Sequence, residues 1–314
     1  MKKIETVAMI GVGAMGSFFA PRLYALLGKE NFRVIAHGER KTRMENEGLT
    51  INGTNYHFPV VTPGADLKPA DLIIIGVKST ALSTALDEIS KQVGPDTLIL
   101  SLLNGVDSEE KIAARYGDAH VVYAFMRVSI VMQNHCCRYD PQVGRIYFGE
   151  KKNPALSERV LMIKELFESA DIPYRIPADM IHDQWFKFMA NVGENLISAL
   201  LGIPFGGFHV SEHTNILRVK AMEEVIAIAN CKGICLGEEE LRKQEKAIAN
   251  IPFKNKPSTL QDLEAGRKTE IDMFAGEVMR MGKECGISTP INEFLYHAFR
   301  VLEEKNEGLY NRGE

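Results

Sequence analysis

The feature that most constrains this chain is a glycine-spaced hexapeptide near its beginning, Gly11-Val12-Gly13-Ala14-Met15-Gly16. An apolar run at residues 6–10 precedes it, a helix-periodic segment at 17–27 follows, and residues 32–36 form a second apolar run. Glycines at the first, third and sixth positions permit a tight turn, close backbone approach to a pyrophosphate and close helix packing. The order of strand, glycine turn, helix and strand predicts that these six residues bind a dinucleotide rather than forming an ordinary glycine turn.

The exit of the second predicted strand decides which dinucleotide we expect. NAD enzymes usually present an acid to the ribose hydroxyls here, whereas cations accommodate the 2′-phosphate of NADP. This chain has His37 where an acid is expected, and Arg40 and Lys41 follow. The pattern favours NADP(H), with His37 and Arg40 as cofactor-binding residues. The acid Glu39 keeps NAD(H) as the alternative cofactor. The other alternative is a solvated charged turn without a role in cofactor binding.

Two further polar residues follow predicted buried strands. Lys78 comes after the apolar run at 72–77, and Asn104 comes after the run at 97–103. Open α/β sheets bind ligands at the carboxyl ends of their strands. Both residues are therefore candidate ligand-binding residues, although each could be a simple turn residue. Short strands between residues 121 and 148 are expected to extend the sheet with antiparallel pairs.

The character of the sequence changes near Pro177, after which the segments are long, helix-periodic and poor in strand signals. Asp179 can cap a helix that reaches about Leu201, and three or four further helices are expected. We predict an α/β protein with an N-terminal dinucleotide-binding domain at residues 1–177 and an all-helical C-terminal domain at 178–314.

Composition excludes several classes of partner. The net charge is −4, and no long run of Lys and Arg offers a footprint for nucleic acid. No apolar stretch approaches the ~20 residues of a membrane helix. The apolar beginning is interrupted by glycines, unlike a signal peptide, and we expect a cytoplasmic protein. Cys231 and Cys235 could hold a metal on one helix face, but without further ligands at suitable spacing we expect reduced structural thiols and no metal.

A polar stripe marks the first helix of the second domain. At 3.6 residues per turn, Lys187, Asn191 and Asn195 share a narrow arc, while the other faces are apolar. A largely buried helix needs a cleft or partners for such a stripe. An exposed helix face is the competing interpretation, and the apolar flanks make it the weaker one.

A second polar segment begins at Ser258. Ser258 and Gln261 match a capping box, which would give Ser258 a structural role, but a helix start also favours a substrate carboxylate. Glu270 is expected three turns further along this helix, beside an apolar face. A paired structural charge and a catalytic carboxylate remain equal alternatives for Glu270 on these residues alone.

Taken together, these segments resemble the ketopantoate reductase (2-dehydropantoate 2-reductase) family over nearly the whole chain. The matching features are the glycine hexapeptide, Lys78, Leu103-Asn104-Gly105, the Lys187/Asn191/Asn195 helix and the block from Ser258 to Asp272. The resemblance implies a Rossmann domain joined to an all-helical domain. It also implies NADPH-dependent reduction of 2-dehydropantoate to pantoate, on the route to pantothenate, with a small 2-oxoacid as the partner.

The resemblance also implies individual roles. Lys187 corresponds to the general acid, and Glu270 to a carboxylate that contacts the bound ligands and completes the catalytic site. Asn191, Asn195 and Ser258 correspond to substrate-binding residues, and Asn104 is expected to have the same role. Lys78 and Asn104 match positions on the cofactor side. A homodimer is a further expectation, although the residues themselves do not determine the oligomeric state.

Three residues depart from the family pattern. His37 replaces a common Arg, Leu196 replaces a common Pro, and Glu194 lies about 20° from Lys187 on an ideal helix. An acid beside an anionic substrate would weaken binding, so Glu194 faces away, pairs with a cation or marks a different substrate. Reduction of another branched 2-oxoacid is therefore the nearest alternative. A non-catalytic NADP(H)-binding sensor is the alternative from another class.

Overall fold

The computed structural model describes residues 3–133 and 135–311. The chain divides into two compact units, Met1–Ile181 and His182–Glu314. The first unit contains every strand of the described residues. In chain order these are β1 (Val7–Ile10), β2 (Phe32–Ile35), β3 (Leu49–Ile51), β4 (Thr54–Tyr56), β5 (Val60–Val61), β6 (Leu72–Ile75), β7 (Leu98–Ser101), β8 (Val121–Arg127), β9 (Val131–Gln133), β10 (Cys136–Arg138), β11 (Arg145–Gly149) and β12 (Tyr174–Arg175).

The helices of the first unit connect these strands. They are α1 (Ala14–Asn31), α2 (Gly38–Asn46), α3 (Leu82–Glu88), α4 (Ser108–Tyr116) and α5 (Glu158–Ser169), with short 3₁₀ turns at Ser79–Ala81, Ser90–Gln92 and Asp118–His120. Gly28 interrupts α1 with a φ of 69°, so the helix breaks where the sequence indicated. A left-handed backbone of this kind is accessible to glycine at little cost.

The main sheet has eight strands in the order β12-β11-β8-β7-β6-β1-β2-β5. The central strands are parallel, and the chain leaves β1 toward β2 on one side and later returns to β6 on the other. This reversal is a topological switch point, where open α/β sheets bind ligands beyond the strand ends. The first unit is therefore a Rossmann-type domain.

Both faces of this sheet are buried, which explains the continuous apolar strands. Along β1, Val7 and Met9 belong to one core, and Ala8 and Ile10 belong to the other. Parallel sheets with helices on both faces read as unbroken apolar runs for this reason. The first core includes side chains of α1 and α5, and the second includes side chains of α3 and α4.

The expectation for residues 121–148 was correct in part. Strand β8 pairs antiparallel with β11 and so extends the main sheet. However, β9 and β10 leave it and form a second sheet in the order β4-β3-β10-β9. The register joins Cys136 to Thr50, far away in the sequence, so local strand signals could not reveal this pairing.

The second unit is helical throughout its described part. Its helices are α6 (Met180–Ala190, which begins just before the boundary), α7 (Leu196–Leu201), α8 (Gly207–Val210), α9 (Glu212–Cys231), α10 (Glu238–Ala249), α11 (Ser258–Glu264), α12 (Glu277–Cys285) and α13 (Pro290–Asn306). Two π-helical segments, Asn191–Asn195 and Asp272–Gly276, join α6 to α7 and lead into α12. The core includes Phe188, Leu196, Val225, Phe274 and Phe299, all buried.

Two expectations for this unit were wrong. Six helices follow Leu201 in the described part of the chain, rather than three or four, because Ser211 caps a new helix and glycines and prolines divide the rest. Helix α9 ends at Cys231, so Cys235 lies beyond the helix and the two do not share a helical face. All five cysteines are free thiols.

No helix among the described residues has the length and apolar character needed to cross a membrane.

Candidate functional site

The glycine hexapeptide forms a tight turn between β1 and α1. Gly11 has a φ of 84°, and a Cβ there would lie 2.5 Å from the backbone nitrogen of Val77. A Cβ on Gly16 would lie 2.6 Å from the carbonyl oxygen of Gly11. In contrast, a Cβ on Gly13 would meet no atom of the described residues within 4 Å. The first and last glycines thus serve packing, and the middle one leaves room for a ligand.

The turn delivers the start of α1, whose first residues are Ala14 and Met15. Gly13 is the N-cap and provides no side-chain hydrogen bond, and the first turn contains no acid. The first N–H groups of a helix lack partners within it, and its N-terminus favours negative charge. With Val12 in the turn itself, the backbone here fits the pyrophosphate of a dinucleotide.

Lys78 and Asn104 occupy corresponding positions at the carboxyl edge of the sheet. Strands β6 and β7 are parallel, with Ile75 opposite Ser101. Each polar residue follows its strand end by three positions. Lys78 is exposed and Asn104 is half-buried. The structure therefore places both at the edge that carries the glycine turn, as the sequence indicated.

A cavity of about 280 Å³ opens at the same edge, beside the end of β2. Its lining includes His37 and Arg40, the two residues that the sequence pattern assigned to the cofactor. His37 is the N-cap of α2, and Arg40 lies in its first turn. The remaining lining is largely apolar and comes from the ends of β1 and β2, the segment leading into α3 and α3 itself.

Glu88 also lines this cavity, although it was not among the residues predicted from the sequence. Its carboxylate Oε1 lies 2.9 Å from Nε2 of His37. Ala81, Thr84, Ala85 and Glu88 all line the cavity, and their spacing of three and four residues places them on one helical face. That spacing, on the helix after the strand that ends near Lys78, was the available signal.

The polar stripe of the second unit is present. Lys187, Asn191 and Asn195 are half-buried, whereas residues 188–190, 192–194 and 196–199 are buried. Nδ2 of Asn195 donates a hydrogen bond of 3.3 Å to Oδ1 of Asn191. The three side chains therefore share the part-exposed face of an otherwise buried helix.

This stripe crosses a π-helical segment that the apolar periodicity does not indicate. The α-helix ends at Ala190, and Asn191–Asn195 follow π geometry before α7 begins. A π turn contains more residues than an α turn and is frequent at functional sites. Because of the extra residue, positions after Asn191 face different directions from those that an ideal α-helix predicts.

Glu194 is the residue most affected. An ideal helix would place it beside Lys187, but its side chain is only 5% exposed and pairs with Arg218 of α9 at 3.0 Å. Nε2 of Gln244 in α10 donates to both of its oxygens, at 3.0 and 2.9 Å. Of the three alternatives for Glu194, pairing with a cation is the one that the structure contains.

The expected capping box at Ser258 is wrong. Pro257 is the N-cap of α11, and Ser258 is the first helical residue. Nε2 of Gln261 donates to the carbonyl oxygen of Lys256 at 3.0 Å instead of returning to Ser258. The helix starts one residue earlier than expected because the extended backbone of Pro257 suits the position before a helix. Ser258 is exposed and has no capping role.

Glu270 does not lie on the same helix as Ser258. Helix α11 ends at Glu264, Gly266 follows with a φ of 64°, and Glu270 precedes the π segment Asp272–Gly276. A glycine in the left-handed region is a common helix terminator. Glu270 is half-buried, and its carbonyl oxygen accepts N–H bonds from Met273 and Phe274, both at 3.1 Å.

The segment around Glu270 is anchored on α13. Thr269 donates to Glu303 through its backbone N–H, at 2.8 Å, and through its hydroxyl, at 2.6 Å. Asp272 pairs with Arg300. Burial lowers the pKa of Arg300, but hydrogen bonds to Tyr296 and Asp272 outweigh this effect and raise the pKa above its ordinary value. Glu270 is thus held by a neighbouring helix rather than by α11.

The helical unit brings several predicted site elements together. Helix α11, which carries Ser258, packs against α7 and against Asn191–Asn195. The π segment that follows Glu270 also packs against Asn191–Asn195. A second cavity of about 460 Å³ lies between α9 and α10, and none of the predicted site residues line it. The described residues contain no cluster of three or more metal-ligating side chains.

Two family models match the chain. Residues 7–153 match "Ketopantoate reductase PanE/ApbA", and residues 179–303 match "Ketopantoate reductase PanE/ApbA C terminal". A curated relative, 2-dehydropantoate 2-reductase of Aquifex aeolicus (strain VF5), is 28% identical over 305 residues, covering 94% of this chain and 96% of the relative.

Two solved structures are similar over 96% of this chain and 99% of their own. A PanE/ApbA family ketopantoate reductase from Ralstonia eutropha JMP134 is 25% identical with a TM-score of 0.81. D-mandelate dehydrogenase, in a ternary structure with NADH and anilino(oxo)acetate, is 20% identical with a TM-score of 0.86. At that identity the second similarity concerns the fold alone.

The two packing environments in the glycine turn predict different effects of alanine substitution, on stability at Gly11 and on cofactor binding at Gly13. Gly11→Ala should lower the free energy of unfolding by at least about 2 kcal/mol, because strained φ and overpacking each cost about 1–3 kcal/mol. Gly13→Ala, at a φ of −99°, should leave stability nearly unchanged but weaken NADPH binding. Urea unfolding and fluorescence titration with NADPH measure these quantities. Equal stability of the two variants would contradict the assigned roles.

Loss of the Glu194 charge should destabilise the helical unit. Glu194→Gln strands the buried Arg218 guanidinium, and we expect a loss of about 3 kcal/mol in unfolding free energy. Adding Arg218→Met should restore much of it, because no unpaired charge remains. Glu223→Gln, at an exposed acid on α9, is the control. Urea unfolding followed by circular dichroism tests this, and an unchanged midpoint for Glu194→Gln would refute it.

Proposed function

This chain belongs to the ketopantoate reductase family, and on that premise we propose that it catalyses the NADPH-dependent reduction of 2-dehydropantoate to pantoate. The reaction would serve pantothenate biosynthesis. The observation that carries the proposal is the half-buried stripe of Lys187, Asn191 and Asn195 on an otherwise buried helix. An ammonium and two amides there offer the donors that a 2-oxoacid needs.

The first unit supports a nicotinamide dinucleotide as the cofactor. Gly13 leaves room for a pyrophosphate, and the first turn of α1 has no acid to oppose it. The cavity at the end of β2 lies where the adenosine ribose binds in Rossmann domains. We assign the cofactor contacts to residues 11–16, His37, Arg40, Lys78 and Asn104, with Glu270 as a further contact.

Lys187 is the proposed general acid. When bound, NADPH supplies the hydride that reduces the keto carbon. Nζ of Lys187 donates a proton to the carbonyl oxygen, so that the C=O double bond becomes a C–O single bond with a new C–H bond at the carbon and a new O–H bond at the oxygen. Before the transfer, the same ammonium stabilises negative charge on that oxygen, an interaction of the kind worth about 3–4 kcal/mol in preorganised sites.

The remaining assigned residues hold the substrate. Asn191 and Asn195 can donate amide N–H groups to its oxygens, and their mutual hydrogen bond orients both side chains. Ser258 has a hydroxyl with no capping role, so it can serve a substrate group. Asn104 is assigned to the substrate as well as to the cofactor. Glu270 is the proposed catalytic carboxylate, because it lies beside a π segment packed on Asn191–Asn195.

The pairing of Glu194 bears on substrate choice. Two departures from the family pattern motivate a different 2-oxoacid: Glu194, which an ideal helix would place close to Lys187, and Leu196. Since Glu194 is buried and bound to Arg218 and Gln244, its charge is compensated and does not oppose an anionic substrate. No observation on this helix now favours another 2-oxoacid over 2-dehydropantoate. Leu196 is buried in the core and has no polar role.

Three expectations stay predictions within this proposal. They are the division into a cofactor domain at residues 1–177 and a substrate domain at 178–314, a homodimeric assembly and a cytoplasmic location. None of them is needed for the proposed chemistry.

Substitution of Lys187 tests the proposal. Lys187→Ala should lower kcat for 2-dehydropantoate at least about a hundredfold, since general acid catalysis contributes ~10²–10⁴. Lys187→Arg should also be slow, because a guanidinium keeps the charge but does not release its proton near neutral pH. Initial rates of NADPH oxidation measure both effects, and fluorescence titration should show that each variant still binds NADPH.

The control for this experiment is Lys246→Ala, which removes an exposed lysine of α10. Its rate should equal that of the wild type. An undiminished rate for Lys187→Ala would reject the role of Lys187. A wild-type protein that binds NADPH but reduces no 2-oxoacid would support the sensor alternative instead.

A further inference from the structure

The cavity at the end of β2 contains three ionisable side chains of mixed charge. Its lining includes His37, Arg40 and Glu88. When His37 is neutral, the charges of Arg40 and Glu88 cancel. The 2′-phosphate of NADP carries up to two negative charges, so a cavity that selects it strongly would need a clear excess of cations. This cavity lacks that excess.

Glu88 is oriented toward the cavity rather than toward bulk solvent. Its side chain is 19% exposed, compared with 63% for His37. It is the last residue of α3, and Ala81, Thr84 and Ala85 line the cavity with it. A part-buried carboxylate is screened less by solvent and salt than an exposed one. Its charge therefore acts on whatever binds here.

The carboxylate of Glu88 is also hydrogen-bonded to the imidazole of His37. The distance between Oε1 and Nε2 is 2.9 Å, a hydrogen bond that becomes an ion pair when His37 is protonated. Arg40 is the other cation of the lining. Its guanidinium makes no hydrogen bond or ion pair with residues 3–133 or 135–311, so its charge is available to a ligand.

We propose that Glu88 is a cofactor-selectivity residue, which engages His37 and repels a 2′-phosphate, so that the protein distinguishes NADP(H) from NAD(H) only weakly. The inference rests on the proposed function, because it concerns the cofactor of that reaction. Arg40 supplies the preference for NADP(H) that remains. A carboxylate at this edge is also the group that accepts hydrogen bonds from an unphosphorylated ribose in NAD enzymes.

The test compares dissociation constants for NADPH and NADH by fluorescence titration, without any 2-oxoacid present. Glu88→Gln keeps the shape of the side chain and removes its charge. The ratio of the NADH constant to the NADPH constant should rise at least about fivefold, because the substitution removes a negative charge that repels the 2′-phosphate from a few ångströms away. The matched control is Glu47→Gln, at an exposed acid that directly follows α2 and does not line the cavity. Its ratio should equal that of the wild type.

A second measurement needs no change at position 88. The wild-type ratio should stay below about a hundredfold, which corresponds to about 2.8 kcal/mol. Arg40→Ala should reduce it to about one or below. An unchanged or lower ratio in Glu88→Gln, or a wild-type ratio near a thousandfold, would overturn the proposal. Failure of the proposed function looks different, since a protein without reductase activity can still show these binding ratios.

Discussion

A buried carboxylate fixes the helix that carries the proposed catalytic residues. Glu194 is almost fully enclosed, and an isolated charge in such a place costs several kcal/mol unless it is paired. Arg218 and Gln244 supply the pairing from two different helices. Because both partners bind the same carboxylate, they constrain the rotation of the π segment. The face of this helix that is not buried in the core carries Lys187, Asn191 and Asn195, which are half-buried.

The cofactor half depends on a different constraint, the parallel register of β1, β2, β6 and β7. This register brings four strand ends to one edge of the sheet. The edge therefore carries the glycine turn, His37, Lys78 and Asn104, although these lie far apart in the sequence. Buried apolar side chains on both faces hold the strands in place. The position of each polar residue follows from the strand that it terminates.

Features with a local physical cause could be predicted from the sequence. The glycine turn, the strand exits at Lys78 and Asn104, and the continuous run of helix to Leu201 all depend on neighbouring residues. The break in α1 at Gly28 belongs to the same group. In each case the signal and the structure that it produces lie within a few residues.

Features that depend on distant partners could not be predicted. The π segment of residues 191–195 has no distinctive composition, and the partners of Glu194 lie 24 and 50 residues away in the sequence. The anchoring of the segment around Glu270 depended on Glu303 of α13, 34 residues from Thr269. The start of α11 is a different case, because its signal, Pro257, is local but the capping-box pattern of Ser258 and Gln261 pointed one residue further on. Glu88 was overlooked because its partner His37 belongs to another strand exit.

The two halves support one account, a reductase in which this chain positions a 2-oxoacid and protonates its carbonyl oxygen. Its most direct test is a panel of purified 2-oxoacids, including 2-dehydropantoate and other branched acids, assayed with the wild-type protein and saturating NADPH. The account predicts the highest kcat/KM for 2-dehydropantoate, with pantoate as the product. A higher kcat/KM for another branched 2-oxoacid would contradict it.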